Sequence, residues 1–290
     1  VARERVGIRQ TAVVIPETDD GRILFVLPWG ARAVIGTTDT GEGDLDDPEA
    51  SPQDIAYLLD HANRVLDVQL TEDDILSVYA GYRPLVKSRE DHTANLSRSH
   101  VVLEQKVNGM VTVVGGKLTT YRRMAQDVVD VLAQRDRLPR AHPTERLLLA
   151  GAIGWPEARP EIEARGRALG LAPDTLRHLA FNYGRDAMAV LDLIDQDELL
   201  SERLVADLPY IRAEVLHAVR YEMALRLDDV LARRTRISVE DRDRGARVAG
   251  DVARLMAGEL GWSLDRIRAE EDQYAAQIRH HLSAEGLARR

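Results

Sequence analysis

A run of glycine, lysine and threonine residues directly after an apolar segment is the feature of this sequence best suited to chemistry. It reads Gly-Gly-Lys-Leu-Thr-Thr-Tyr-Arg over residues 115–122. Residues 110–114 before it are apolar and mostly β-branched, which predicts a short buried strand. After it, apolar residues recur at helical spacing, which predicts that a helix starts at once. The apolar face of that helix is predicted to comprise Leu118, Tyr121, Ala125, Val128 and Leu132.

A strand that ends at two glycines and passes into a helix can bind an anionic or electron-rich group. The first turn of a helix has unpaired N–H groups and a partial positive charge, and glycine lets a ligand approach the backbone closely. Lys117 adds a full positive charge at the same place. The same residues also fit a plain connection between strand and helix, in which Gly115 and Gly116 only supply positive φ angles, and both interpretations stay open.

Two arginines are the other candidate binding residues. Arg83 follows the apolar segment 75–82, which predicts a buried strand, and Pro84 disfavours the α region for the residue before it. Arg83 is therefore expected in extended backbone, where its side chain either meets a ligand or lies over the sheet edge with its head in water. Arg98 precedes a predicted hairpin, residues 100–104 and 110–114, whose turn contains Asn-Gly.

Composition excludes several classes of function. The chain has 290 residues, 44% of them apolar and 30% charged, which is typical of a soluble globular protein of two domains. The absence of cysteine excludes disulfides and thiolate catalysis, and no His-x-x-x-His spacing indicates a metal site. A net charge of −9 argues against nucleic acid as a partner. With no apolar run of transmembrane length and no signal peptide, a cytoplasmic location is expected.

The order of predicted elements indicates an α+β fold. Three short strands at 11–15, 22–27 and 32–35 predict an antiparallel sheet, and Ser51-Pro52 predicts a helix start. A linker at 138–143 is predicted to separate an α+β domain, residues 1–140, from an all-α domain, residues 144–290. The predicted helices of the second domain span 159–169, 173–182, 186–194, 209–226, 238–259 and 263–283.

Five stretches together resemble the FAD-dependent (aerobic, respiratory) sn-glycerol-3-phosphate dehydrogenases, in the order in which that family carries them. They are Ile23-Leu-Phe-Val-Leu-Pro-Trp29, Ile35-Gly-Thr-Thr-Asp39, Ala80-Gly-Tyr-Arg-Pro-Leu85, Gly115-Gly-Lys-Leu-Thr-Thr-Tyr-Arg122 and Asp228-Asp-Val-Leu-Ala-Arg-Arg-Thr-Arg236. Family members begin with a Gly-x-Gly-x-x-Gly turn that holds the FAD pyrophosphate, and this sequence has none. The chain is therefore expected to be a C-terminal fragment that is inactive alone, an expectation that the absence of an initial Met also supports.

The resemblance implies a reaction and a role for each candidate residue. The family transfers a hydride from C2 of glycerol 3-phosphate to FAD, forms dihydroxyacetone phosphate and passes electrons to quinone at the membrane. By motif position, the residues implied to contact FAD are Gly115, Gly116, Lys117, Leu118 and Thr119. Arg83 and Lys117 would be catalytic and would hold the oxygen on the reacting carbon, and Arg98 would bind the substrate phosphate. The family likeness further implies peripheral contact with the inner face of the cytoplasmic membrane, and it is compatible with a homodimer.

Two other functions remain open at this stage. The first is a related FAD-dependent oxidase of amino acids or amines, in which Arg83 would bind a carboxylate. The second is a non-catalytic fragment whose helices bind a partner. Arg98 and Lys117 favour a phosphate over a carboxylate, because a dianion requires more positive charge.

Overall fold

The computed structural model describes residues 1–40, 43–83 and 99–287. The chain forms two compact units. The first, called the sheet–helix unit, comprises Val1–Thr38, Glu49–Tyr79 and Leu149–Arg290; the second, called the hairpin unit, comprises Asp39–Pro48 and Ala80–Leu148. The amino-terminal sheet thus groups with the carboxy-terminal helices. The division predicted between residues 140 and 144 differs from this grouping and stays a prediction.

The sheet–helix unit begins with a short helix that was not predicted, followed by the predicted three-stranded antiparallel sheet. Its elements are α1 (Arg3–Val6), β1 (Val13–Ile15), β2 (Leu24–Trp29) and β3 (Arg32–Gly36), in the order β1-β2-β3. Leu24 and Val26 of β2 are fully buried, while Phe25 between them is 40% exposed. The sheet therefore buries one face and exposes the other, as antiparallel sheets commonly do.

The next helix starts where the sequence predicts, whereas the strand predicted after it is wrong. Helix α2 (Pro52–Asn63) is capped by Ser51, whose side chain accepts a hydrogen bond from the Asp54 N–H at 3.1 Å. A 3-10 helix follows at Glu72–Asp74, and residues 75–83 have no regular structure. No other strand of the described residues pairs with them. An apolar segment without a hydrogen-bonded neighbour does not remain a strand.

The hairpin unit contains the predicted hairpin and the predicted helix. Strands β4 (Val101–Glu104) and β5 (Val111–Val114) pair antiparallel, and a 3-10 helix (Leu118–Thr120) leads into helix α3 (Tyr121–Arg135). A further 3-10 helix lies at Pro143–Glu145. Burial of β5 was predicted wrongly, since none of its residues is buried. The predicted face of α3 is also wrong at Tyr121, which is 60% exposed. Two strands and one helix cannot cover all of each other's apolar faces.

The rest of the sheet–helix unit is helical, which confirms the α+β class. Its α-helices are α4 (Trp155–Ala168), α5 (Pro173–Tyr183), α6 (Ala187–Gln196), α7 (Arg212–Glu222), α8 (Ile237–Glu240), α9 (Ala249–Leu260) and α10 (Leu264–Ala284). A π-helix lies at Asp229–Arg234, and 3-10 helices lie at Ala150–Ala152, Gly184–Asp186 and Glu198–Ser201.

One predicted helix, at 238–259, is interrupted. Arg244 and Gly245 have φ angles of 56° and 80°, and Asp241 Oδ2 accepts the Gly245 N–H at 3.0 Å. Such positive φ angles are incompatible with a continuous helix. The helices from α4 to α10 pack around two clusters of buried side chains, in which Leu191, Val230 and Met256 are fully buried.

Candidate functional site

The glycine turn between β5 and α3 has a conformation and a packing that both favour glycine. Gly115 and Gly116 have φ angles of 80° and 85°, which lie in the left-handed region. A Cβ atom on Gly116 would lie 2.4 Å from the Met124 Sδ and 3.2 Å from the His100 Cβ. The backbone of Gly116 therefore packs against the side chain of His100, the residue before β4, and against Met124 of α3.

A histidine–aspartate pair links the two elements on either side of this turn. His100 Nε2 lies 2.8 Å from Asp127 Oδ2 of α3, and Arg123 Nε lies 2.9 Å from Asp127 Oδ1. The hydrogen bond with His100 and the charge of Arg123 hold the pKa of the Asp127 carboxyl below its ordinary value, against the opposing effect of desolvation. The sequence analysis missed this pair, because nothing local relates two polar residues that are 27 positions apart.

The helix after the turn begins with a 3-10 turn rather than directly as an α-helix. Thr120 N–H donates to the Lys117 carbonyl at 2.9 Å, and the Thr120 hydroxyl donates to the same carbonyl at 3.0 Å. The N–H groups of Leu118 and Thr119 precede this first hydrogen bond, so they have no acceptor within the helix. Both residues are exposed, Leu118 to 88%. The turn thus offers two backbone donors that have no acceptor among the described residues.

Lys117 adds an available charge to these donors. Its side chain is exposed and makes no ion pair with any residue in the described ranges 1–40, 43–83 and 99–287. An ammonium group beside two backbone donors at the amino end of a helix can bind an anion or the electron-rich edge of a ring. The contiguous residues Gly115 to Thr119 therefore form one candidate binding surface.

Arg83 is held by a carboxylate and not by a strand. Its Nη1 atom lies 2.8 Å from Asp39 Oδ2, with side-chain exposures of 36% and 20%. The expectation of a preceding buried strand is wrong, and Asp39 is the residue that orients the guanidinium. Asp39 ends one of the motifs that the sequence analysis singled out, which is the only local signal for it. Arg98 lies outside the described residues.

None of the helices in the described ranges combines the length and the apolar character needed to cross a membrane.

Comparison with known proteins identifies two domains in this chain. Residues 3–122 match the family described as FAD dependent oxidoreductase. Residues 142–267 match the family described as the C-terminal domain of alpha-glycerophosphate oxidase. The first match contains the glycine turn and Arg83, and the second contains α4 to α9.

Individual proteins similar to this chain are named glycerol-3-phosphate dehydrogenases. The chain is 39% identical over 282 residues to glycerol-3-phosphate dehydrogenase 2 of Mycobacterium tuberculosis, covering 96% of this chain and 47% of the relative. It is 41% identical over 261 residues to glycerol-3-phosphate dehydrogenase of Mycobacterium leprae, covering 88% and 44%. The X-ray structure of the Bacillus halodurans glycerol-3-phosphate dehydrogenase complexed with FAD superposes with a TM-score of 0.79 at 28% identity, covering 96% of this chain and 55% of that one.

The chain spans about half the length of the curated relatives it matches. Within that half, the two domain matches, the relatives and the superposed structure all indicate the same family. The chain belongs to the family of FAD-dependent glycerol-3-phosphate dehydrogenases.

Proposed function

We propose that the protein containing this chain oxidises sn-glycerol 3-phosphate to dihydroxyacetone phosphate, with FAD as the hydride acceptor and a quinone as the final electron acceptor. The observation that carries the proposal is the glycine turn, where unpaired N–H groups and an exposed Lys117 lie within the matched FAD-dependent oxidoreductase domain. The names of the relatives supply the substrate.

The glycine turn fits one edge of a flavin ring. Met124 and His100 pack against the Cβ side of Gly116 and hold the turn in place, and the N–H groups of Leu118 and Thr119 suit oxygen or nitrogen acceptors on a planar ring. FAD, when bound, supplies a ring that gains negative charge on reduction. The amino end of the 3-10 helix and α3 would stabilise that charge, because its partial positive charge is already oriented before the reaction.

The cationic side chains would bind the substrate. Arg83 and Lys117 would hold the oxygen on the reacting carbon, which orients its C–H bond and stabilises the developing carbonyl dipole. The ion pair with Asp39 would keep the Arg83 guanidinium in a fixed orientation, so that less conformational entropy is lost on binding. Arg98 would bind the phosphate, since a forked guanidinium matches its oxygens.

An assay of the full-length protein, including the residues encoded upstream of Val1, tests the proposal. Glycerol 3-phosphate should reduce a redox dye in the presence of FAD, whereas proline, glycine and sarcosine should not. This chain alone should show no turnover with either substrate class, because it contains no Gly-x-Gly-x-x-Gly turn. Oxidation of amino acids in place of glycerol 3-phosphate would establish the amine-oxidase alternative, and turnover by the chain alone would contradict the expectation about the fragment.

Arg98→Ala in the full-length protein gives a sharper test of the phosphate contact. Phosphate binding acts equally on the ground and transition states, so its loss should chiefly raise KM. A charge-assisted contact contributes about 1.5–3 kcal/mol, which corresponds to a KM raised roughly tenfold to a hundredfold. A fall in kcat with KM unchanged would show that Arg98 has another role.

Two further features belong to the same proposal. We propose that the whole protein lies peripherally on the inner face of the cytoplasmic membrane, where quinone is available, and that residues 1–140 and 144–290 form separate folding domains. Co-sedimentation of the full-length protein with quinone-containing vesicles tests the first. Limited proteolysis tests the second, with first cleavage expected at 138–143. Cleavage first within 210–226 would contradict the boundary.

A further inference from the structure

A pocket in the sheet–helix unit has two chemically different walls. It encloses about 420 Å³ and lies where the segment after the Glu72–Asp74 helix meets the break between α8 and α9 and the end of α10. Small-molecule sites typically have volumes of about 300–1,000 Å³. The pocket shares no residue with the glycine turn or with the Arg83–Asp39 pair.

One wall is rich in arginine. Arg242, Arg244 and Arg247 line it within six consecutive residues. Arg244 is 4% exposed and pairs with Glu285 through its two terminal nitrogens, with Nη1 at 3.1 Å from Glu285 Oε1. Its Nε atom is buried and has no hydrogen-bond acceptor in the described part of the chain. That nitrogen has almost no solvent-accessible surface, so a ligand in the pocket would meet the other arginines of this wall and not the Arg244 Nε.

The charges of this wall are only partly compensated. Arg247 pairs with Asp243, which also lines the pocket, and Arg244 pairs with Glu285. Arg242 donates to the Asp73 backbone carbonyl at 2.7 Å, and it forms no ion pair among residues 1–40, 43–83 and 99–287. That carbonyl is neutral, so the charge of Arg242 remains available to a ligand.

The other wall is apolar. Its side chains come from the irregular segment after residue 74, from α10 and from the residues that follow α10. They are Ile75, Leu76, Ile278, Leu282 and Leu287. An inorganic anion would leave this wall in contact with water, and an uncharged hydrocarbon would leave the arginines without a partner. Only a molecule with an acidic head and an apolar body satisfies both walls.

We propose that this pocket binds a small amphiphilic anion, with the acidic head against Arg242 and the apolar body against Leu282 and Leu287. A medium-chain fatty carboxylate has the appropriate charge, shape and size. This site is independent of the proposed dehydrogenase reaction, so either can fail without the other.

Isothermal titration of the purified chain with monomeric decanoate tests the proposal. Decanoate should bind, while inorganic phosphate and the neutral decanol should bind at least tenfold more weakly, because each satisfies only one wall. Arg242→Gln should weaken decanoate binding roughly tenfold to a hundredfold, the range for one charge-assisted hydrogen bond. Arg254→Gln is the matched control, since Arg254 is an exposed arginine of α9 that does not line the pocket.

Each alternative outcome has a definite meaning. Equal binding of phosphate would show a simple anion site, and equal binding of decanol would show that the arginines contribute nothing; either result overturns the proposal. So does unchanged affinity in Arg242→Gln, provided that its melting temperature equals that of the parent. The titration is then repeated with the full-length protein, which should bind decanoate with the same affinity. Loss of binding there would show that the pocket is not available in the whole protein and would overturn the proposal.

Discussion

The hairpin unit and the helical part of the sheet–helix unit use apolar side chains in opposite ways. In the helices, α5 and α6 bury Leu179 and Leu191 completely. In the hairpin unit, Leu118 is 88% exposed at the start of the 3-10 helix, and Val113 of β5 is 42% exposed. Burial of apolar side chains therefore stabilises the helices, whereas few apolar contacts support the candidate binding surface.

Polar side chains follow the same contrast. Glu214 of α7 is 1% exposed, and its carboxylate accepts from Tyr183 at 2.9 Å and from the Ile211 N–H at 2.8 Å, with His178 Nε2 at 2.6 Å. The bonds from Tyr183 and Ile211 are buried, and the one with His178 is partly buried. By contrast, Lys117 and the backbone donors beside it face solvent. Buried, satisfied groups serve the fold, while exposed, unsatisfied groups remain available to a ligand.

The largest effect is expected from removing packing in the helices. Leu179→Ala should lower the free energy of unfolding by about 2–5 kcal/mol, since it leaves a cavity in a closed core. The matched change Leu118→Ala should alter it by less than about 0.5 kcal/mol, because that side chain is exposed. Chemical denaturation of both variants measures the difference. Equal losses would show that Leu118 is packed in solution and would remove the contrast.

Lys117→Ala should have a large effect on rate and almost none on stability. In the full-length protein, loss of one oriented electrostatic group should lower kcat by about 10²–10³. Lys117→Arg should not restore the rate, because a planar guanidinium cannot replace a compact ammonium. Lys106→Ala, an exposed lysine in the β4–β5 turn, is the control and should behave as the parent. A change confined to KM for Lys117→Ala would contradict its catalytic role.

Gly116→Ala should separate backbone strain from crowding in the glycine turn. An alanine at positive φ costs about 1–2 kcal/mol. Gly109→Ala, at a φ of 69°, should show only this cost, since the nearest atom to its Cβ would be the Arg135 Nη1 at 3.6 Å. Gly116→Ala should cost about 1 kcal/mol more, because Met124 and His100 must move. Equal free energies of unfolding for the two variants would show that the turn accommodates a Cβ atom at Gly116 without steric conflict.

The smallest effect should be a pH dependence in the helices. His217 is 5% exposed, and its Nδ1 lies 3.9 Å from Glu222 Oε1 but has no hydrogen-bond partner among the described residues. Burial lowers the pKa of His217 below the ordinary value, and the charge of Glu222 opposes this shift. The unfolded chain then takes up this proton first. The stability that the neutral His217 contributes is therefore fully present above about pH 6.5, and it is lost as the pH falls below that value.

His217→Phe should flatten that slope by about 1 kcal/mol or less between pH 5 and 7, as measured by denaturant titrations across the range. Phe181→Leu, at an exposed residue of α5 that does not titrate, is the control and should leave the slope unchanged. An identical slope in His217→Phe would show that the buried imidazole takes up a proton as readily as an unfolded one.

Local patterns allowed several elements to be predicted from the sequence. The Asn-Gly hairpin, the Ser51 cap of α2, the paired glycines before Lys117 and most of the long helices are specified by residues within a few positions of one another. Turn geometry, capping and helical periodicity act over that range, so these elements can be predicted from nearby residues alone. The resemblance that led to the family rests on such local motifs as well.

Only the tertiary structure decided the features that depend on distant partners. Asp39 pairs with Arg83, His100 pairs with Asp127, and Glu214 collects donors from α5 and from the residue before α7. Residues 75–83 are not a strand, because strand formation requires hydrogen bonds from a neighbouring segment. Burial and pairing arise from the meeting of remote segments, which no local pattern specifies. The types of the candidate binding residues were therefore determined by the sequence, and their charge partners and exposure by the fold.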